Sequence, residues 1–194
     1  MIYYNCFFLI FFVLFNVGCS SQNELLLSAT QLEYQSSLPL LMLNYNQNVV
    51  TSKKDSCILI NDKCGVICDD SSIDNYSELS NYSNRITIMD NEMVILKKTL
   101  YNGEQYIVIN TNTCEQFILN GEPQLNDSII FTFNEGATTD KKSYIDLSII
   151  DSSGKLKNYR QVSIPQNIFP QNLRKNNRKV LMIDSDNQVW TFTF

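Results

Sequence analysis

The residues Ile107-Val108-Ile109-Asn110-Thr111-Asn112-Thr113-Cys114-Glu115-Gln116-Phe117-Ile118-Leu119 decide the fold. An unbroken β-branched run, a polar turn rich in Asn and Thr, and a second apolar run write a β-hairpin, because Asn closes tight turns with its own side chain. The same phrase recurs along the chain. It is present at Ile58-Leu59-Ile60-Asn61 followed by Val66-Ile67-Cys68, and at Ile86-Thr87-Ile88-Met89-Asp90 followed by Met93 to Leu96. It returns at Leu147-Ser148-Ile149-Ile150-Asp151 and at Leu181-Met182-Ile183-Asp184, each with a further apolar stretch behind it. Five antiparallel hairpins follow, and the fold class is all-β.

The turn residues Asn61, Asp90, Asn110, Asp151 and Asp184 stand 29, 20, 41 and 33 residues apart. That irregularity does not establish a repeat of fixed period. The stretch from Tyr106 to Asn126, with Gly121-Glu122-Pro123 after its second strand, resembles a blade edge of propeller-type proteins. A sandwich or meander writes the same hairpins, so a sandwich/meander and a small or incomplete propeller-like domain both remain open.

Upstream of these hairpins the chain changes character. The apolar run Phe7 to Phe15 leads into Val17-Gly18-Cys19-Ser20, which is too short for a spanning helix of about 20 residues and suits the core of a secretion signal. These residues resemble a bacterial lipoprotein precursor, with Asn16 where such signals favour Leu and with no Lys or Arg in Met1 to Asn5. The resemblance implies a cleaved signal helix over residues 1–18, a lipid on Cys19, and a tether over 19–22. It also implies an address in the bacterial cell envelope, in the outer membrane and facing the periplasm. One β-rich domain is expected over 23–194. Leu26, Ala29 and Leu32 sit at helical spacing, which predicts a short helix near 23–34, with Pro39 beyond its end.

Four cysteines remain after Cys19: Cys57, Cys64, Cys68 and Cys114. An even number in an exported chain suggests two disulfides. Three pairings are possible. A hairpin around Asn61-Asp62-Lys63 brings Cys57 opposite Cys68, which leaves Cys64 to join Cys114. A four-thiolate zinc site is the competing reading, against which stand the spacing and the absence of histidine.

The chemistry of the chain is mostly defined by what it lacks. No histidine occurs, which removes Ser-His-Asp, Cys-His and histidine-metal arrangements together. No GxSxG, P-loop or GxGxxG is present, so no catalytic residue, cofactor or metal is assigned and the chain is not read as an enzyme. The acidic cluster Asp69, Asp70, Asp74 and Glu78 reads as a solvated loop in preference to a glycosidase pair. Asp184 to Gln188 reads as a hairpin turn rather than a calcium loop, lacking the glycine and the closing glutamate. Trp190 and Phe192 share one face of an alternating strand, as core or as a partner stripe.

Partners follow from charge and loop composition. A formal charge of -5 disfavours nucleic acid, and the cationic run Arg174-Lys175 with Arg178-Lys179 reads as a polar loop. The segment Asp70 to Asn84 is rich in Tyr, Ser and Asn, the mixture of protein-binding loops, and makes Tyr76 and Tyr82 candidate anchors. Residues 134–142 form a second such loop. The expected function is protein binding by a lipid-anchored domain, as an immunity protein against a secreted antibacterial toxin or as a structural or assembly lipoprotein of the envelope.

Overall fold

A computed structural model describes residues 26–45, 53–72, 76–135, 143–165 and 167–193. The signal, Cys19 and the tether lie outside the described residues. The described chain is antiparallel β throughout, apart from one helix of 5 residues.

It opens with β1 (Leu27–Ala29), α1 (Gln31–Gln35), β2 (Leu38–Pro39) and β3 (Leu41–Met42). The helix predicted near 23–34 is thus mostly displaced: among the described residues only Gln31–Gln35 is helical, and residues 23–25 lie outside them. Its start is local, because the Thr30 hydroxyl accepts the Glu33 N–H while Glu33 reaches back to the Thr30 N–H. Leu27 to Ala29 is drawn into a strand by Val189 to Thr191, far away in sequence.

Sheet I then contains β4 (Lys53–Lys54), β5 (Cys57–Asn61) and β6 (Gly65–Cys68). Sheet II is the meander β7 (Ser77–Ile88), β8 (Asn91–Leu100), β9 (Gly103–Asn110) and β10 (Gln116–Leu119). Sheet III runs through β11 (Pro123–Asn126), β12 (Ile129–Glu135), β13 (Ser143–Ile150) and β14 (Leu156–Ile164), with β3 added at the β11 edge. Sheet IV has β15 (Pro170–Asn176), β16 (Lys179–Asp184) and β17 (Val189–Thr193), with β2 beside β15 and β1 beside β17.

The sheets pack face to face in chain order. Ile58 and Ile60 of sheet I meet Leu79, Val94, Leu96, Ile107 and Ile109 of sheet II. The opposite face of sheet II, with Met93, Ile95 and Val108, meets Ile130 and Ile150 of sheet III. Phe131, Ile145 and Leu147 then face Val180, Met182 and Phe192 of sheet IV, whose other face carries Leu181 and Val189 against Tyr34 of α1. Central strands are therefore buried on both faces. That is why Val94-Ile95-Leu96 and Leu181-Met182-Ile183 are continuous apolar runs instead of alternating ones.

All five expected hairpins are present, and four of their turns share one device. In each, the side-chain Oδ1 of an Asn or Asp accepts backbone N–H groups two to four residues ahead. Asn61 Oδ1 takes Lys63 and Cys64, and Asn110 Oδ1 takes Asn112 and Thr113. Asp151 Oδ1 takes Ser153 and Lys155, and Asp184 Oδ1 takes Asp186 and Gln188. The turns are also joined in series, since Asn61 Nδ2 donates to the Thr111 carbonyl at 3.0 Å and Asn110 Nδ2 to the Gly154 carbonyl at 2.9 Å. Asp184 is thus committed as a turn residue, and its Oδ2 accepts Trp190 Nε1 at 2.8 Å while the indole packs beside the core.

Candidate functional site

The cysteines pair as the hairpin places them. Cys57 and Cys68 stand directly opposite each other across β5 and β6 with an S–S distance of 2.01 Å, and Cys64 and Cys114 join sheet I to sheet II at 2.05 Å. No thiolate is left at these positions to hold zinc.

The acidic cluster does not form a carboxylate pair. Asp69 is drawn inward: its Oδ2 meets Lys53 Nζ at 2.9 Å and its Oδ1 accepts the Leu79 N–H at 2.8 Å, which ties sheet I to β7. Asp70 turns away to accept the Ser72 N–H, a bond that holds its carboxyl below the usual carboxylate range. Asp74 lies outside the described residues. Arg174, Lys175 and Lys179 belong to β15 and β16, which corrects the polar loop expected there.

Tyr76 and Tyr82 part company. Tyr76 is 47% exposed, whereas Tyr82 is 3% exposed and lies within β7. Residues 77–84 are strand and not the polar loop expected from their composition, so Tyr82 is corrected from surface anchor to core residue. Its ring meets Tyr106 edge to face with centroids 4.8 Å apart, and its hydroxyl donates to Glu122 Oε1 at 2.7 Å. Tyr106 donates to Glu104 Oε2 at 3.3 Å, and Glu104 in turn pairs with Lys97 at 2.5 Å. Burial, followed by the Glu122 hydrogen bond at Tyr82 and the Glu104 charge at Tyr106, raises both phenols far above the usual tyrosine range. They are neutral donors at physiological pH.

Glu122 carries this cluster to the surface. Its place is set by Gly121, which has φ +118° and lies so close to Phe133 that an added Cβ would stand 1.9 Å from the Phe133 carbonyl oxygen. Only glycine fits that crossing. Beyond it opens a pocket of about 170 Å³ between sheets III and IV, lined by Met42, Glu122, Gln124, Phe133 and the stretch Pro170 to Leu173.

The segment Leu38 to Met42 forms one side of this region. Leu38 and Pro39 pair with Lys175 and Arg174 of β15, while Leu41 and Met42 pair with Leu125 and Gln124 of β11. Leu40 between them is buried in the core shared by the two sheets, and it pins the crossing. Leu38, Leu41 and Met42 are left exposed, Leu41 by 62%, and Phe169 is exposed next to the pocket residue Pro170. The sequence does not signal these residues, which lie beyond the helix expected near 23–34 and meet β11 and β15 only in the fold. Gly121-Glu122-Pro123, part of the stretch that resembles a blade edge, is the one local signal of the pocket. Comparison of the chain with family models, with curated proteins and with solved structures returned no match.

Proposed function

We propose that the chain is a lipid-anchored, periplasm-facing binding protein of the bacterial envelope, and that it acts as an immunity factor by capturing a delivered toxin. The observation that carries the binding part is the set of exposed apolar side chains Leu38, Leu41, Met42 and Phe169, of which Met42 lines the pocket and Phe169 adjoins its residue Pro170. Apolar side chains gathered on strand edges, rimmed by polar groups, mark sites where a monomer meets a partner. The edges of sheets III and IV hold them on fixed backbone, which lowers the ordering cost of association. Two disulfides support an oxidising compartment, and Val17-Gly18-Cys19 supports lipidation at Cys19.

Two experiments test the reading. Metabolic labelling with a fatty-acid analogue marks wild type and not Cys19→Ser; equal labelling of both sinks the anchor. A deletion strain in contact with toxin-producing sister cells loses viability relative to its parent. Equal survival, together with failure of the purified chain to capture any effector, removes the immunity reading.

A further inference from the structure

We infer that the pocket between sheets III and IV takes a cationic side chain, arginine ahead of lysine, from a basic segment of the protein partner. This rests on the protein-binding reading above and adds to it the chemistry of what is bound.

The pocket is amphipathic in a particular sense. Met42, Phe133, Pro170 and Leu173 supply apolar wall, and Glu122, Gln124, Gln171 and Asn172 supply polar atoms, with no cation in the lining among the described residues. Gln124 Oε1 is shut off from solvent and accepts no hydrogen bond from any described residue. A buried acceptor without a donor is costly, so the site is short of donors. Glu122 stands exposed at the rim, where the Tyr82 hydroxyl donates to its Oε1 and the carboxylate stays open to an incoming donor. Both phenols of the cluster stay neutral, so neither offsets the carboxylate charge.

Among the described residues, Arg174, Lys175 and Lys97 do not fill the gap. Arg174 stacks on Tyr34 with its guanidinium carbon 4.3 Å from the ring centroid, and Lys175 Nζ is held by Asn126 and Asp127. Lys97 is committed to Glu104. An arginine side chain answers the requirement from outside: its stem lies along Met42, Phe133 and Pro170, and its forked donors meet the Glu122 carboxylate first and Gln124 Oε1 once that amide turns into the pocket. A lysine offers a point charge to the same acceptors with less geometric match. The overall charge of -5 acts in the same direction by steering a basic partner toward the domain.

The test titrates the full chain, in detergent, with N-acetylarginine methylamide, N-acetyllysine methylamide and uncharged N-acetylnorleucine methylamide, following backbone amide NMR signals. Saturable shifts at Gln124, Gln171 and Asn172 are expected, with the arginine probe binding more tightly than lysine and norleucine weaker by about tenfold. Glu122→Gln keeps an acceptor for Tyr82 and should weaken the arginine probe on the order of tenfold; Gln124→Met should weaken it by a smaller factor. Equal binding of norleucine and arginine, or undiminished binding by folded Glu122→Gln, overturns the assignment. So does saturation of the same signals by a disaccharide when the arginine probe leaves them unmoved. The two readings fail separately. If the chain captures a protein and Glu122→Gln captures it equally well, the pocket assignment falls alone. If the arginine probe saturates the pocket while no protein is captured, the binding-protein reading falls and the pocket assignment stands.

Discussion

Sheets I and III solve the same problem with different means. Sheet III is covered on both faces, with Ile130 turned to sheet II and Phe131 to sheet IV, and both are fully buried. Sheet I has only one covered face: Ile58 and Ile60 are buried against sheet II, while Leu59 and Val66, directly opposite each other, are exposed. Both disulfides involve sheet I, one within it and one tying it to the β9–β10 turn of sheet II. Sheet III, held by two-sided burial, carries no cross-link among the described residues; sheet I, buried on one side, has covalent bonds that restrict the unfolded chain instead.

The sharpest way to break this comparison is to remove core from sheet III. Phe131→Ala should cost about 3 to 5 kcal/mol in denaturant unfolding, since it empties a site walled on every side. A loss below about 1 kcal/mol would mean that sheets III and IV are not tightly packed. For sheet I, Cys64→Ser with Cys114→Ser opens a closure across 50 residues, for which chain entropy gives about 4 kcal/mol. Cys57→Ser with Cys68→Ser opens one across 11, worth about 3 kcal/mol by the same account. Thermal unfolding of the two double variants ranks them, and a reversed order would show that strand pairing, not loop closure, is what the bonds protect.

A smaller effect separates turns from sheets. Asn110 is fully buried, accepts two N–H groups and donates to Gly154, so Asn110→Ala should cost about 2 kcal/mol while Tyr101→Ala, at a 95% exposed turn residue, stays within about 0.5 kcal/mol. The smallest effect is at alkaline pH. Tyr82 and Tyr106 have phenols raised in the folded state, so above the usual tyrosine value of about 10 the unfolded chain loses protons that the folded chain keeps. Stability is therefore complete below that pH and declines as pH rises through it. Unfolding followed from pH 8 to 11 should show this slope, and Tyr82→Phe with Tyr106→Phe should flatten it.

The hairpins were legible because their causes are local. Asn61, Asn110, Asp151 and Asp184 bond to backbone within four residues, and the β-branched runs before them need no distant partner to be recognised. The strand Ser77–Ile88 was not legible. Its register shifts between Asn81 and Ser83 and again between Ser83 and Ile86, and such bulges scramble the period of two by which a half-buried strand is read. Leu27 to Ala29 failed for another reason: Leu26, Ala29 and Leu32 carry helical spacing, and only pairing with β17 turns Leu27 to Ala29 into strand. The candidate pocket was invisible in the sequence, since Met42, Glu122, Phe133 and Pro170 meet only after sheets III and IV are stacked.

The pairing of Leu27–Ala29 with Val189–Thr191 also fixes an order of events as the chain emerges to fold. The earlier strand emerges long before the later one, so β1 has no neighbour to zip onto until Thr191 has followed. Sheets I to III can assemble vectorially as they emerge, each against the one before it. Sheet IV cannot, and its completion waits for β17. Chains interrupted before Val189 therefore leave β1 without a neighbour and α1 without Val189 to pack on. That makes the arrival of β17 the moment at which quality-control proteases can distinguish finished from unfinished molecules.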